Sequence, residues 1–523
     1  MNSGFVALVG AGPWDPELLT LAARDRLARA DVVIVDYLVN PAVLIHCRPD
    51  AEILQRVRGP RSGTEELHLN QARVNALMVE HAQAGRYVVR LKGGDPMMFG
   101  RGAEEAVHLH ENGVEFEFVP GVSSPIAAPE AAGIPITHRD HTPSVSFVSG
   151  YEAYEKAGLA VAWEHLANSA GTLVLMMSVK NARQNAERLV AAGRSPDTPT
   201  AVVRWGTRGI QQTVIGTLAT IADRIAAAGL RAPAVMVVGD VVNLRAQIQW
   251  YERRPLFNRR VVVTRATHQA SGLVHRLAAQ GADAVAFPCL EFVPATPADQ
   301  QALDHALASF AEDQRYDGLI ISSPNGVEAL FAGLARIQRD ARIFAGKQVA
   351  AIGTGTADVM IARGLRPDIV PNEARCEGLI DTLRERRLLS ANWLHVRADE
   401  GRDLIAEAVA EAGGALDLIV GYQTLRPRVP LLLSRSLLGV AQGGEGFDAI
   451  CFASGRTARH FLQTFSEAHG EALARAALEN AKVVAIGPVT AAGIEALGVR
   501  VDAIADAQTE QALAEAVQRV LNG

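Results

Sequence analysis

The chain has 523 residues, of which 49% are hydrophobic and 21% charged, and its formal net charge is −6. One hydrophobic core rarely organises so long a chain, so we expect about two to four domains in a globular α/β protein and not a disordered one. The acidic balance argues against nonspecific nucleic-acid binding, which needs a basic surface, although a local group of arginines could still bind a small polyanion.

Short apolar runs separated by amphipathic stretches make up the first half. Continuous apolar strands that alternate with helices are typical of sheets covered on both faces, so we predict an α/β fold. The predicted strands are residues 5–9, 32–35, 87–91, 116–120, 172–177 and 234–238.

This periodicity lapses near residues 244–260, where Arg, Pro and Trp cluster, and a second α/β pattern then begins. We therefore predict one domain over residues 1–245, a linker over 246–258 and a second domain over 259–523. The predicted strands of the second domain are 261–264, 318–322, 349–353, 393–396, 448–454 and 483–487.

Two segments of the second half resemble each other. AIGTGTADVMIARGLRPDIVP (351–371) and AIGPVTAAGIEALGVRVDAIA (485–505) both contain a strand, a glycine turn, a helix start with Thr and Ala, a further glycine and another strand. The likeness indicates either two similar α/β lobes produced by duplication or generic βαβ packing.

The turn GAGPWDP (10–16) follows the first predicted strand and superficially suggests a dinucleotide-binding fingerprint. The third glycine of G-x-G-x-x-G is absent, and Pro13 has no backbone N–H to offer a phosphate. This argues against a nicotinamide oxidoreductase. A glycine-rich turn between strand and helix is the plain structural alternative.

Two longer motifs also follow predicted strands: LKGGDPMMFGRGAEEA (91–106) and VPGVSSPIAAPEAAGIPITHRD (119–140). Together with GAGPWDP, TLVLMMSVKN and PAVMVVGDVVNLR, in this order, they make the first half resemble the uroporphyrinogen-III C-methyltransferase family. The resemblance implies a two-lobed tetrapyrrole (class III) methylase fold, with S-adenosyl-L-methionine in the cleft between the lobes. It also implies a homodimer formed through this half.

Carried over to this sequence, the resemblance surrounds the cofactor with glycines, hydroxyl groups, methionines and one carboxylate. Glycines let the backbone approach a ligand closely, and the Asp95 carboxylate can accept hydrogen bonds from amino or hydroxyl groups. The implied cofactor-binding residues are Pro13, Gly93, Gly94, Asp95, Met98, Ser123, Ser124, Met177, Gly206 and Ala234.

Methylation of a pyrrole carbon requires the removal of a proton, and Asp36 matches the presumed catalytic base of the family. Asp36 could instead cap the turn that follows the second strand. The predicted substrate-binding residues of this half are Arg58, Arg101 and Arg139.

Two positions depart from the family pattern. Val57 stands where the family has a lysine proposed as a proton donor, and Trp14 stands where it has a glycine. Arg58 or Arg61 could supply the missing charge but not the acid role, because arginine does not deprotonate. The indole of Trp14 could restrict the cleft.

The second half carries VVVTRA (261–266), ISSPNGVEAL (321–330), HVRADEGRDLI (395–405), YQT (422–424) and FASGRTARHF (452–461). With AIGTGTA and AIGPVTAAG, these segments resemble the uroporphyrinogen-III synthase family. The resemblance implies a bilobal α/β uroporphyrinogen-III synthase fold that binds hydroxymethylbilane between its lobes. The implied reaction closes the ring with loss of water and inversion of the last pyrrole, without a metal or an organic cofactor.

Polar residues of these motifs fall at the carboxyl ends of predicted strands, the edge where open α/β sheets bind ligands. Hydroxyl groups, helix N-terminal amides and guanidinium groups suit a substrate with several carboxylates. Tyr422 matches the family tyrosine placed to assist hydroxyl departure, although it could simply pack and donate a hydrogen bond. The predicted substrate-binding residues are Arg265, Ser322, Ser323, Arg397, Ser454 and Gly455.

Membrane insertion and metal binding are not indicated. No apolar stretch approaches the roughly 18 residues of a spanning helix, and the first residues lack the features of a signal peptide, so we expect a cytoplasmic enzyme. The cysteines are far apart and form no CxxC pair, which predicts reduced thiols and no metal site. They are Cys47, Cys289, Cys376 and Cys451.

The two resemblances together predict a bifunctional enzyme of tetrapyrrole synthesis. The second half would convert hydroxymethylbilane to uroporphyrinogen III, and the first half would methylate that product at carbons 2 and 7 to give precorrin-2, for siroheme or cobalamin. The alternative is an active synthase fused to an impaired methylase half, marked by Trp14 and Val57, that acts as a tetrapyrrole carrier.

Overall fold

The first sheet is built by apolar strands whose alternate residues face two different cores. In the computed structural model this sheet is parallel and has the order β3-β2-β4-β1-β5. The structure describes residues 4–48, 50–55, 70–150, 161–169, 171–265, 267–312, 315–373, 375–401, 403–429, 431–440 and 444–523. Val6 and Leu8 pack on one face, whereas Ala7 and Val9 pack on the other. The elements are β1 (Phe5–Gly10), α1 (Leu21–Leu27), β2 (Val32–Val35), β3 (Glu52–Gln55), α2 (Gln71–Gln83), β4 (Tyr87–Lys92), α3 (Gly102–Glu111) and β5 (Glu115–Val119).

The second sheet has the order β6-β7-β10-β8-β9 and is mostly antiparallel. It too is apolar on both faces: Val202 and Met236 face one core, and Val203 and Val237 the other. Its elements are α4 (Ser124–Ala131), β6 (Val145–Ser149), α5 (Trp163–Ser169), β7 (Thr172–Met176), α6 (Ala182–Ala191), β8 (Pro199–Arg204), β9 (Gln212–Thr217), α7 (Ile221–Ala227), β10 (Ala234–Val238) and α8 (Arg245–Ile248).

Two more sheets follow from residue 260 onward. The first elements are β11 (Arg260–Val263), α9 (Thr267–Ala279), β12 (Asp283–Ala286), β13 (Glu291–Pro294), α10 (Pro297–Glu312), β14 (Gly318–Ile321), α11 (Pro324–Arg336), β15 (Gln348–Ala351), α12 (Thr354–Ala362) and α13 (Cys376–Glu385). The remaining elements are β16 (Asn392–Ala398), α14 (Leu404–Glu411), β17 (Ala415–Leu425), α15 (Leu431–Ser436), β18 (Ala449–Phe452), α16 (Gly455–His469), α17 (Glu471–Glu479), β19 (Lys482–Ala485), α18 (Pro488–Glu495), β20 (Ala503–Ile504) and α19 (Glu510–Asn522). Short 3-10 helices span Pro16–Leu18, Pro41–His46, Val179–Asn181, Asp240–Leu244, Tyr251–Arg253 and Ala341–Phe344.

The chain divides into two units that cut across the sequence order. One unit contains residues up to 287 together with 431–523, and the other contains residues 288–430. The third sheet, β12-β11-β18-β19-β20, lies in the first unit, and the fourth, β13-β17-β16-β14-β15, forms the second. The linker predicted at 246–258 lies inside the first unit, so the domain limits drawn from the sequence stay predictions.

The third and fourth sheets repeat one local design. Val484 pairs with Ala503 in the third sheet, and Ala350 pairs with Ile369 at the same spacing in the fourth. An aspartate fixes each turn: Asp502 accepts the Val483 N–H, and Asp368 accepts the Val349 N–H, both at 2.9 Å. The likeness predicted between residues 351–371 and 485–505 is thus confirmed in backbone pairing and in side-chain contacts.

Every apolar run predicted as a strand coincides with an observed strand, apart from small differences at the ends. The strands that were missed are β3, β6, β8, β9, β12, β13, β17 and β20. Several of these lie at sheet edges, where one side is exposed and the apolar signal is weak, as in the mostly exposed β3.

Candidate active sites

Three glycines bring the carboxyl ends of β1, β4 and β5 into backbone contact. A Cβ atom on Gly10 would lie 2.6 Å from the Gly94 carbonyl oxygen, and one on Gly121 would lie 2.3 Å from the same oxygen. Gly12 and Gly94 also form a two-way backbone bridge, with N···O distances of 3.2 and 2.7 Å. A side chain on Gly10 or Gly121 would push the loops apart, so these two glycines fix a tight backbone edge.

Asp95 secures this edge from the side. Its Oδ1 accepts the Met97 N–H at 2.8 Å, and its Oδ2 accepts the Gly121 N–H at 3.0 Å. Each carboxylate oxygen has a second lone pair, so the predicted contact with a cofactor remains a prediction beside this structural role.

The other cofactor residues predicted on this edge lie around the glycines. Ser123 is buried and forms the N-cap of α4, but its hydroxyl makes no capping hydrogen bond. Ser124 N lies 3.6 Å from the position of a Cβ on Gly94. Pro13, Gly93 and Met98 are half-buried. The structure therefore groups this set at one sheet edge.

The predicted cofactor residues of the second sheet lie at the edge where β7 ends and β10 begins. Met177 directly follows β7 and is 43% exposed, with a positive φ of 54°. Ala234 opens β10 and pairs with Arg204. A Cβ on Gly206 would lie 2.2 Å from the Ala128 side chain, so only glycine fits against α4. The Asp15 N–H reaches Thr207 Oγ1 at 3.4 Å, which joins this edge to the GAGPWDP turn.

Asp36 lies above a buried charge cluster that the sequence reasoning missed. Its Oδ2 is 3.5 Å from Arg90 Nη2, an atom that is buried and makes no hydrogen bond among the described residues. Arg90 Nε contacts Glu105 at 3.2 Å, and both side chains have no exposed surface. The alternative role, a turn cap, has some support, because Asp36 Oδ1 accepts the Tyr37 N–H at 3.2 Å.

Lys92 completes the cluster. Its Nζ lies 2.9 Å from Glu105, which also accepts a hydrogen bond from Gln71 at 2.9 Å. Burial lowers the pKa of Lys92, and the Arg90 charge adds to this effect, while Glu105 and Asp36 oppose it. The sequence contained a signal for this cluster. Arg90 and Lys92 stand at alternate positions of an otherwise apolar strand, and the acid Glu105 follows in the GRGAEEA helix.

The predicted substrate arginines of the first half differ in setting. Arg101 is exposed, has a positive φ of 61° and lies 3.5 Å from Glu104. Arg139 is exposed as well. Arg58 and Val57 lie outside the described residues. Neither Arg101 nor Arg139 is brought into contact with Asp36.

Trp14 has a φ of 146°, a region that favours the glycine of the family pattern. The Arg208 guanidinium lies over its ring, 4.3 Å from the centroid. The indole is therefore held by a stacked cation beside the predicted cofactor residues.

In the second unit, Ser323 and Tyr422 meet. Their hydroxyl oxygens are 2.9 Å apart, and the Ser323 oxygen also caps α11 by accepting the Gly326 N–H at 3.1 Å. The Tyr422 ring packs edge-on against Phe292 with centroids 5.7 Å apart. Ser322 is half-buried beside this pair. Packing and hydrogen bonding, the alternative role for Tyr422, are both observed.

Arg397 lies on the same strand as His395. Its Nη2 contacts Asp403 at 2.8 Å, and this carboxylate is 60% exposed. Burial lowers the pKa of His395 to about 4, the Arg397 charge adds to this shift, and Asp403 opposes it. The His395 Nε2 atom is buried and has no hydrogen-bond partner among the described residues.

In the third sheet, Ser454 and Gly455 begin α16. The Ser454 hydroxyl accepts the Thr457 N–H at 3.2 Å in a capping box. Gly455 approaches Gly493 so closely that a Cβ would lie 3.1 Å from its Cα. Arg265 is paired with Glu510 at 2.6 Å. These residues thus have structural partners, and their predicted substrate contacts stay predictions.

Other observations concern metals, thiols and membranes. The described residues contain no group of His, Cys, Asp and Glu that could hold a metal ion. The cysteines form no disulfide, and burial raises the pKa of the Cys451 thiol to about 12, which makes it unreactive. No helix among the described residues is long and apolar enough to cross a membrane.

Two family models match different parts of the chain. The family model for Tetrapyrrole (Corrin/Porphyrin) Methylases matches residues 6–222, and the model for Uroporphyrinogen-III synthase HemD matches residues 271–515.

One similar protein spans both halves. The "Porphyrin biosynthesis protein HemD" of Ruminiclostridium josui is 35% identical over 373 residues, which cover 71% of this chain and 72% of that protein. The "S-adenosyl-L-methionine-dependent uroporphyrinogen III methyltransferase" of Methanosarcina barkeri is 47% identical over 243 residues, or 46% of this chain and 94% of that protein. A uroporphyrinogen-III C-methyltransferase of Bacillus subtilis is 41% identical, and the match spans 59% of its length.

Among solved structures, the uroporphyrin-III C-methyl transferase of Thermus thermophilus complexed with S-adenyl homocysteine is 37% identical, with a TM-score of 0.39, and the match covers 46% of this chain and 99% of that one. The uroporphyrinogen III synthase of the same organism is 22% identical, with a TM-score of 0.30, and the match covers 50% of this chain and 98% of that one.

Proposed function

The chain belongs to the tetrapyrrole methylases in its first half and to the uroporphyrinogen-III synthases in its second, and on this premise we propose that it makes precorrin-2 from hydroxymethylbilane. It is a bifunctional enzyme of tetrapyrrole synthesis. The synthase half closes and inverts the bilane without a cofactor, and the methylase half transfers two methyl groups to the product. The cytoplasmic location and the homodimer stay predictions.

The observation that carries the methylase proposal is that the glycines at the carboxyl ends of β1, β4 and β5 form one edge of the first sheet, beside Asp36. Gly10 and Gly121 pack backbone against backbone there, whereas the atom nearest to a Cβ position on Gly94 is Ser124 N at 3.6 Å, so a ligand can approach the backbone at Gly94. This fits S-adenosyl-L-methionine, whose polar groups need backbone donors and acceptors. When bound, S-adenosyl-L-methionine supplies an electrophilic methyl group.

Asp36 acts as the base in this proposal. It is 20% exposed, so its carboxylate can reach a substrate, and its Oδ2 lies 3.5 Å from Arg90 Nη2 beneath it. Methyl transfer leaves a positive charge on the substrate pyrrole, and the methylated carbon has no hydrogen to lose because it already carries a side chain. In this proposal a pyrrole N–H or a bridging carbon of the substrate therefore gives up the proton, which passes to the Asp36 carboxylate.

The synthase half uses shape and hydrogen bonds. We place the Tyr422 hydroxyl, oriented by Ser323 at 2.9 Å, where it donates a hydrogen bond to the departing hydroxyl group of the bilane. Arg397 and Arg265 are the proposed partners of substrate carboxylates. No observation favours the carrier alternative for the methylase half.

Incubation of the pure protein with hydroxymethylbilane, with and without S-adenosyl-L-methionine, tests both activities by product analysis. We expect uroporphyrinogen III without the methyl donor and precorrin-2 with it. Only the uninverted type I isomer, formed at the spontaneous rate, would refute the synthase. Unmethylated uroporphyrinogen III in the presence of the donor would refute the methylase.

A further inference from the structure

Arg208 lies against two tryptophan rings at the edge proposed for the cofactor. Its guanidinium carbon lies 4.3 Å from the ring centroid of Trp14 and 4.8 Å from that of Trp205. Trp14, Trp205 and Thr207 have positive φ values of 146°, 51° and 72°. Such backbone conformations cost energy in residues other than glycine and persist only when neighbouring contacts hold them.

The other side of the Arg208 guanidinium contacts the synthase half. Its Nε and Nη2 atoms bind the two oxygens of Asp283 in β12 at 3.2 and 2.9 Å, and both side chains are less than a tenth exposed. Glu445 lies 3.4 Å from the same Nη2 atom. This buried, bidentate pair fixes both the position and the plane of the guanidinium.

Further contacts hold the loop that contains Thr207, Arg208 and Gly209 against both halves of the chain. A Cβ on Gly209 would lie 2.1 Å from the Asp283 backbone nitrogen, so the loop and β12 touch directly. The Thr207 carbonyl accepts the Tyr251 hydroxyl at 2.7 Å, and its Oγ1 accepts the Asp15 N–H at 3.4 Å. One loop thus joins β12 to the turn that contains Pro13 and Trp14.

We propose that Arg208 is a positioning residue through which the synthase half sets the shape of the cofactor cleft in the methylase half. Asp283 holds the guanidinium, the guanidinium holds the Trp14 indole, and the indole fixes the turn that borders the cofactor. The inference rests on the proposed function, because it takes Pro13 and Gly206 to border the cofactor. Thermodynamic coupling is reciprocal, so cofactor binding also strengthens the contact between Arg208 and Asp283.

The test is calorimetric titration of the full chain with S-adenosylhomocysteine. Asp283→Asn removes the charge that holds Arg208, and we expect the Kd to rise on the order of 5- to 150-fold, the usual range of coupling between sites. Glu80→Gln, which breaks an exposed ion pair with Arg73 elsewhere in the first half, is the control and should leave the Kd unchanged.

A second variant tests the same contact in case Asp283→Asn does not fold. Arg208→Lys keeps a positive charge beside Asp283 but loses the planar group that stacks on Trp14, so it should weaken binding in a folded protein. Circular dichroism and a cooperative melting curve establish folding.

The double variant Trp14→Gly with Asp283→Asn decides whether the residues act in one chain of contacts. We expect its Kd to match that of the weaker-binding single variant, because both changes release the same turn. Fully additive losses, or an unchanged Kd in folded Asp283→Asn and Arg208→Lys, would overturn the inference alone. If wild type binds no S-adenosylhomocysteine, the proposed function fails as well.

Discussion

The carboxyl edge of the first sheet and that of the fourth sheet prepare their candidate sites by different means. Gly10 and Gly121 close the first edge through backbone contacts, and Arg90 and Glu105 lie beneath it without any exposed surface. The fourth sheet instead presents side chains, chiefly the hydroxyl pair of Tyr422 and its serine partner.

The two candidate sites should therefore be sensitive to different substitutions. A site shaped by backbone contact and buried ions is sensitive to one added methyl group or one lost charge. A site lined by hydroxyl groups loses about one net hydrogen bond when a side chain is changed. The first edge should therefore respond more strongly than the fourth to small substitutions.

The largest expected effect is at Asp36. Asp36→Asn should keep the affinity for S-adenosylhomocysteine and lower methyl transfer by roughly 10²- to 10⁴-fold, the usual contribution of a positioned base. Single-turnover methylation of uroporphyrinogen III measures the loss, and the exposed Glu52→Gln serves as control. If wild type methylates no faster than the Asn variant while binding the ligand, the carrier alternative is correct.

The buried His395 gives the fourth sheet its own sensitivity, to pH. Its pKa in the folded protein is about 4 against an ordinary 6.5, so only the unfolded state takes up a proton as the pH falls from 6.5. The contribution of His395 to the free energy of unfolding is therefore fully present above pH 6.5. It is lost as the pH falls from 6.5 to 4, by about 3 kcal/mol in total. Hydrogen exchange of the β16 amides at several pH values measures this change.

His395→Gln should remove most of that pH dependence. The exposed His305→Gln in α10 of the same unit is the matched control and should retain it. An equal pH slope in wild type and His395→Gln would show that another group is responsible.

A methyl group added to the first edge tests the role of backbone contact. Gly121→Ala should cost about 1–3 kcal/mol by overpacking and weaken S-adenosylhomocysteine binding, because its Cβ would lie 2.3 Å from the Gly94 oxygen. Gly355→Ala is the matched control, since no atom lies within 4 Å of its Cβ position in α12. Thermal unfolding and calorimetry compare them, and equal behaviour would refute the tight-edge interpretation.

The smallest expected effect is at Tyr422. Tyr422→Phe should lower the rate of uroporphyrinogen III formation roughly two- to tenfold, the value of one net hydrogen bond. Ser323→Ala keeps the phenol but removes its 2.9 Å partner, so it should have a smaller effect on rate. Unchanged rates with reduced stability in both variants would leave Tyr422 a packing residue only.

The sequence predicted much of the fold because its signals are local. Continuous apolar runs predicted many of the strands in both halves. The likeness between residues 351–371 and 485–505 predicted two similar turns, and each turn contains an aspartate, Asp368 or Asp502, that accepts a backbone N–H. It did not predict that the chain would leave the third sheet after β12 and return at β18, since pairing between distant strands leaves no local pattern.

Some residues of the candidate sites could also be predicted from local sequence, and others could not. Glycines, serines and Asp95 could be assigned from motifs because turn chemistry depends on neighbouring residues. The contact of Arg208 with Asp283 could not, because these residues are far apart in sequence. The cluster of Arg90 and Glu105 was missed although charges at alternate positions of β4 gave a signal. A charged residue is most often solvated, and only folding removes the water around it and brings it together with buried partners of opposite charge. The sequence by itself determined many of the strands and the glycine turns that follow them, whereas the tertiary structure decided which charges share a buried site.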